Sequence, residues 1–186
     1  MNLDEPTSLS SEDLRRYDNR SGFDLVSCQE VGLPVYKLTV DALTQIRIKD
    51  SQERLMIISP WIRAKSVNGW FLQQFENLLK RGVQVFIGYG LGEKDENRYP
   101  TDIQAEESLQ KLARQYSKTF KLKRLGDTHA KILIVDTKFA VSTSFNWLSF
   151  KGERDRTFRD ERGTLVSDPQ KIDELFNNLL RRFTSD

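Results

Sequence analysis

The pattern of apolar and polar positions changes character near residue 55. Leu55-Met-Ile-Ile-Ser-Pro-Trp-Ile is an almost continuous apolar run stopped by Pro60, which suits a central strand buried on both faces. Helical spacing follows between Gly69 and Gly82, with apolar positions at 71, 72, 75, 78 and 79 and Gly82 as a C-terminal stop. Val83 to Gly88 reads as a second strand, so strand, helix and strand make a βαβ unit with a right-handed crossover. Asp102 to Ser117 predicts another helix, with Ala105, Leu109, Leu112 and Ala113 inward and Lys111, Arg114 and Lys118 outward. Phe120 to Leu125, Ala130 to Val135, Phe139 to Thr143 and Thr164 to Ser167 read as strands. Asp168-Pro169 then starts an amphipathic helix on Ile172, Leu175, Phe176, Leu179 and Leu180. The pattern predicts an α/β domain: a mixed, largely parallel central sheet flanked by helices on both faces.

The remaining segments are less regular. Residues 1 to 22 are polar, with a short helix expected after Ser10-Ser11 and a turn at Asn19 to Phe23. Residues 23 to 37 hold brief apolar pieces broken by Gly32 and Pro34, and Thr39 caps an expected helix through Ala42, Leu43 and Ile46. Residues 1–50 therefore read as an arm or extension with short helices, and 51–186 as the domain that carries the chemistry. The Gly88 to Thr101 loop has glycines but neither G-x-x-x-x-G-K nor G-x-G-x-x-G, so it is read as a substrate-contact loop at a strand end rather than a nucleotide cradle. Lys151 to Gly163 is charged and without periodicity. It is expected at the mouth of a site, with Arg154 and Arg156 placed to meet phosphates and Phe158 to stack on a base.

Charge alters this picture only locally. The 186 residues carry a formal net charge of +2, yet Lys111 to Lys131 holds seven basic residues against one acidic, whereas Met1 to Glu30 holds seven acidic against three basic. Positive charge thus gathers where a polyanion would approach. The single cysteine, Cys28, excludes an internal disulfide and a cysteine-rich metal site. No apolar run reaches transmembrane length, and Met1-Asn-Leu-Asp-Glu-Pro does not read as a signal peptide; a cytoplasmic protein with no membrane partner is expected.

The chemistry concentrates between His129 and Asn146. His129 is the only histidine; Lys131 follows two residues later, and Asp136 comes after four apolar residues. On a strand, His129 and Lys131 share a face, and the returning strand brings Ser144 and Asn146 back beside them. An imidazole, an ammonium, a hydroxyl and a carboxamide around one point suit a phosphodiester.

These residues resemble the phospholipase D superfamily, with its H-x-K-x4-D signature and following G-S-x-N element. His129, Lys131 and Asp136 match the first part. Thr143-Ser144-Phe145-Asn146 matches the second except at the glycine, where a β-branched residue resists positive φ and stands against a tight glycine-type backbone and full activity. The likeness is nearest to small single-motif members that act as nucleases and covers roughly Leu55 to Phe183. It implies a phospholipase D-like catalytic domain that cleaves phosphodiesters without metal or other cofactor, through a covalent phosphohistidine and a second histidine as acid. One histidine per chain cannot fill both roles; single-motif members pair two subunits, which implies a homodimer with a shared site of His129, Lys131, Ser144 and Asn146 from each chain. The family's orienting glutamate matches Glu161, with Glu153 a weaker match, and Asp136 reads as structural support. Trp61 and Trp147 follow elements expected near the site and are read as substrate-binding, whereas Trp70 is read as core.

Three functions compete. The leading one is a nuclease on DNA, in repair or defence against foreign DNA, and the Pro60-Trp61 and Phe145-Asn146-Trp147 elements look like those of nuclease domains that accompany helicases. Phospholipid hydrolysis or transfer is the second, against which the arginine-bearing borders argue. A catalytically weak nucleic-acid-binding module is the third, against which the intact His, Lys and Asp argue.

Overall fold

In the computed structural model the apolar run from Leu55 is a strand whose alternating side chains feed two cores. Leu55 and Ile57 belong to one buried cluster and Met56 and Ile58 to another, as the two-residue period of a strand requires. The structure describes residues 23–27, 36–37, 50–91, 99–149 and 161–184; the two expected N-terminal helices lie outside them. In chain order the elements are β1 (Phe23–Ser27), β2 (Tyr36–Lys37), β3 (Arg54–Ser59), α1 (Gly69–Lys80), β4 (Gln84–Tyr89), α2 (Pro100–Gln115), β5 (Phe120–Arg124), β6 (Ile132–Val135), β7 (Phe139–Thr143), β8 (Glu161–Val166) and α3 (Pro169–Thr184).

All the described strands join one sheet in the order β2-β1-β8-β7-β6-β3-β4-β5. The sheet is mixed and carries helices on both faces, as the pattern predicts: Phe71, Phe75, Leu78 and Leu79 of α1 and Ala105 and Leu109 of α2 pack in one cluster, Ile172 and Phe176 of α3 in the other. Parallel pairing takes a smaller share than expected. It joins β3 to β4, β4 to β5 and β1 to β8, while β3–β6, β6–β7, β7–β8 and β1–β2 are antiparallel. The reason is local: the turn after β6 folds β7 straight back, and that hairpin lies against β3 on one side and β8 on the other. The arm also contributes more than expected, since β1 and β2 extend the sheet beyond β8.

Asn68 caps α1 by accepting from Phe71 N, and Gly82, at φ +84°, ends the turn beyond it. Phe75, fully buried, stacks on Phe71 at 4.4 Å and meets Phe120 of β5 at 6.4 Å. On the other face α3 is docked by Arg54, which ion-pairs with Asp173 and lies 4.1 Å above the Phe176 ring. Trp70, read as core, is 44% exposed. It shares a helix face with Gln73, Gln74 and Asn77, one residue off the stripe formed by 71, 75, 78 and 79.

The strongest local constraint lies at the turn between β6 and β7. Asp136 adopts φ +50°, a left-handed conformation that Asp tolerates better than most residues. Its buried carboxylate accepts from Gln52 N, Glu53 N and Arg54 N at 2.9 to 3.2 Å and from Ser51 Oγ at 3.0 Å, and it pairs with Lys138 at 3.1 Å. Burial pushes its pKa up, but the three backbone donors and Lys138 together outweigh burial and hold it below the usual carboxylate value. The ion therefore stabilises the fold above an unfolded pKa of about 3.9, and that contribution is lost as pH falls through the lower folded value. Asp136→Ala is expected to lower stability by about 3–4 kcal/mol, because it leaves several N–H groups without their acceptor; urea denaturation checks this. The same measurement below pH 4 is expected to show wild type losing stability steeply and the variant losing less.

Candidate active site

The exits of β3 and β4 and the entry to β6 meet at one end of the sheet, and hydrogen bonds lace them together. Gly90 N donates to Pro60 O at 3.0 Å, Thr128 N to Gly90 O at 2.8 Å and Leu125 N to Tyr89 O at 2.7 Å. Arg63 N donates to Leu148 O at 2.8 Å, and Leu148 N donates to Ser59 Oγ at 3.2 Å. Asp102, buried at the start of α2, accepts from Ala64 N at 2.7 Å and pairs with Arg63 at 3.5 Å. From the last turns of α3, Arg182 donates to Leu125 O at 3.1 Å and Thr128 Oγ1 at 3.4 Å. The segment leading to His129 is thereby held from β4 and from α3.

His129 is exposed, whereas Lys131 is 7% exposed. The Lys131 ammonium donates to His129 O at 2.8 Å and lies 3.1 Å from His129 Nε2. An ammonium has only donors, so this contact is a hydrogen bond in the tautomer that carries its proton on Nδ1. The Trp61 ring stands edge-on to the imidazole, centroids 6.3 Å apart and planes at 77°. Thr143 N donates to Lys131 O at 3.0 Å, which extends the β6–β7 ladder to the lysine and brings the end of β7 alongside it.

Thr143 shows how the missing glycine is accommodated. Asp136 is the non-glycine residue with positive φ among those described, so Thr143 keeps ordinary strand backbone. Its hydroxyl accepts from Phe145 N at 3.1 Å and donates to Phe145 O at 2.9 Å. A side chain thus holds the turn that a flexible backbone would otherwise make. Ser144 is exposed immediately beyond it, and Asn146 is partly buried with Oδ1 unpartnered among the described residues. Glu161 is the first residue of β8, two positions before Gly163, which faces Thr143 across the sheet. Asp136 stands at the far end of β6 from Lys131. Arg154, Arg156, Glu153 and Phe158 lie outside the described residues.

Trp147 departs from the sequence reading. It is 2% exposed and packs edge-to-face on Phe145 with centroids 5.7 Å apart, so it belongs to the core and has no face for a ligand. The cause is the lacing of Leu148 to β3, which turns the chain inward directly after Asn146.

The pattern also missed a shallow depression beside Trp61, lined by Pro60, Trp61, Tyr89, Gly90, Glu106 and Arg124 among others. Tyr89 Oη donates to Glu106 Oε1 at 2.6 Å. Burial, followed by the Glu106 hydrogen bond and charge, pushes its pKa up to about 12. The available signal was positional: Tyr89 ends a parallel strand, where open sheets place ligands. Among the described residues no three His, Cys, Asp or Glu side chains gather as metal ligands would, and no helix is long and apolar enough to cross a membrane.

Residues 45–182 match the family described as cardiolipin synthase, PLD-like domain. Among solved structures, the chain is similar to Nuc from Salmonella typhimurium, a phospholipase D family member, at 17% identity and TM-score 0.55, covering 77% of this chain and 86% of that one. It is similar to NucT from Helicobacter pylori at 18% identity and TM-score 0.51, covering 78% and 87%. A further likeness is to polyphosphate kinase from Porphyromonas gingivalis, at 11% identity and TM-score 0.53, covering 80% of this chain and 25% of that one. No curated protein sequence matches. Thr143→Val, which keeps the shape and removes the hydroxyl, is expected to cost about 1–2 kcal/mol in urea denaturation, through the unpaired Phe145 amide.

Proposed function

The chain belongs to the phospholipase D superfamily, and on that premise we propose that it is a metal-independent phosphodiesterase that cleaves DNA at a site shared by two copies of the chain. The observation that carries the reading is the contact between Lys131 and His129. The ammonium marks Nε2 as the nitrogen with the lone pair, the state a nucleophile needs. A phosphate bound at this point draws the ammonium onto its non-bridging oxygens, where positive charge stabilises the transition state, and leaves Nε2 free to attack phosphorus.

The attack forms the N–P bond as the P–O bond to the leaving group breaks, and the leaving alkoxide takes a proton from His129 of the second copy, which enters the step as the imidazolium with its own Lys131 ammonium displaced. Water then attacks phosphorus as the N–P bond breaks, with that second imidazole taking its proton, so the first histidine returns neutral and the second returns as the imidazolium. Ser144 and Asn146, just beyond the end of β7, are the polar groups proposed to hold the phosphate oxygens. Glu161 is proposed to accept a hydrogen bond from Nδ1–H and so fix the tautomer. The basic run from Lys111 to Lys131 supplies the attraction for a polyanion.

The description of the matched family names cardiolipin synthase, which makes phospholipid transfer the second reading; co-sedimentation with anionic vesicles separates the two. Labelled DNA incubated with the protein in EDTA is expected to be cut, and His129→Ala to lower the rate at least about a thousandfold. Cleavage that needs added metal, or that survives the substitution, refutes the mechanism. Subunit sharing has its own readout: an excess of His129→Ala chains, given time to exchange, is expected to suppress wild-type turnover. Suppression by no more than simple dilution argues for a self-sufficient chain.

A further inference from the structure

The depression beside Trp61 is not used by the chemistry above, and its surroundings point to what it holds. Trp61 belongs to both places: its ring is 6.3 Å from the His129 ring and it lines the depression. That separation is within about two 3.4 Å rises of a stacked strand, so a phosphate at His129 and a neighbouring base at Trp61 belong to one short stretch of nucleic acid. The depression is also lined by Arg124; a guanidinium plane stacks on aromatic faces as well as carrying charge. The depression meets α2 through Glu106.

The helix extends the feature outward. Ile103, Glu106 and Gln110 fall at helical spacing on one stripe, which the Gln110 Nε2 to Glu106 Oε1 bond at 3.2 Å bears out. Tyr99 caps the start of the same helix. Tyr99 is 72% exposed and Ile103 43% exposed. With Trp70, they are the exposed large hydrophobic residues among those described. Asp102 ties this first turn of α2 to Arg63 and Ala64 of the loop that presents Trp61. Trp61 and Tyr99 are thus mounted on one braced unit at the His129 end of the sheet.

We propose that Trp61, Arg124 and Tyr99 form a stacking subsite for unpaired nucleobases flanking the scissile phosphodiester, so that the protein selects single-stranded over duplex nucleic acid. The proposal rests on the phosphodiesterase reading for its substrate. Aromatic rings and an arginine plane offer faces to bases, and in a duplex those faces are covered by neighbouring pairs. Glu106, which lines the depression and is already engaged by Tyr89 and Gln110, repels a phosphate backbone and favours the uncharged base as the part that enters.

The test is binding, read by fluorescence anisotropy in EDTA with the full-length His129→Ala protein, so that nothing is cut. Labelled oligo-dT is expected to bind at least about tenfold more tightly than a duplex of equal length. Adding Tyr99→Ala is expected to weaken the single strand about tenfold, within the range of one lost stacking contact, and to leave the duplex nearly unchanged, whereas Arg124→Ala, which also removes a charge from the basic run, is expected to weaken both forms and the single strand more. Tyr99→Phe is expected to retain single-strand binding, since the ring rather than the hydroxyl carries it. Equal affinity for the two DNA forms, or a single-strand affinity indifferent to Tyr99→Ala, overturns the proposal. So does a Tyr99→Ala protein that binds DNA normally but sediments as a monomer where its parent is a dimer, which assigns the stripe to a subunit contact. Because binding is read without turnover, a failure of wild type to cut DNA would remove the nuclease reading while this result still stands or falls by itself.

Discussion

The register between β3 and β6 is the constraint on which the rest depends. Met56 faces Ile134 and Ile58 faces Ile132 across an antiparallel join, and a slip of one residue would turn every side chain of β6 to the other face. The Asp136 carboxylate fixes that register from one end by collecting the backbone donors that lead into β3. The consequence appears five and seven residues away, where Lys131 and His129 lead into the opposite end of β6. A buried ion at one end of β6 thus helps set where the His129 imidazole stands at the other.

The same economy runs through the β3 exit. Ser59 sits where the strand ends, and its hydroxyl receives the amide of Leu148. The two loops that flank the histidine are therefore not independent: the one carrying Trp61 and the one following β7 share hydrogen bonds and a core containing Ile62, Phe145 and Leu148. Rigid loops of this kind hold side chains in place without needing large secondary-structure elements around them.

Much of this was legible in the chain. The continuous run at Leu55, the helical stripe at 71, 75, 78 and 79, and the acid-capped start at Asp168 each state their element locally, because burial on two faces, burial on one stripe and capping leave distinct marks. The His129 and Lys131 spacing is equally local. What was not legible depends on partners distant in sequence. β1 and β2 are short, and they find their place only through pairing with β8 and each other. Trp147 and Trp70 were read in reverse, since nothing near Trp147 announces that Leu148 is drawn under the sheet by Ser59. Trp70 was the avoidable error, as its helix face is shared with amides rather than with Phe71 and Phe75. Thr143 looked like a defect against the glycine pattern, and only the hydroxyl's two bonds to Phe145 show it to be a substitute brace.

The lysine on His129 has one more implication. In the proposed mechanism the lone pair of the attacking imidazole is held by the Lys131 ammonium, 3.1 Å away, until a ligand with enough negative charge draws that ammonium off. Neutral esters, amides and carbonyl compounds that drift into the site meet a masked nitrogen. On that mechanism discrimination begins before any surface reads the shape of the ligand: an anionic substrate uncovers the nucleophile with its own charge.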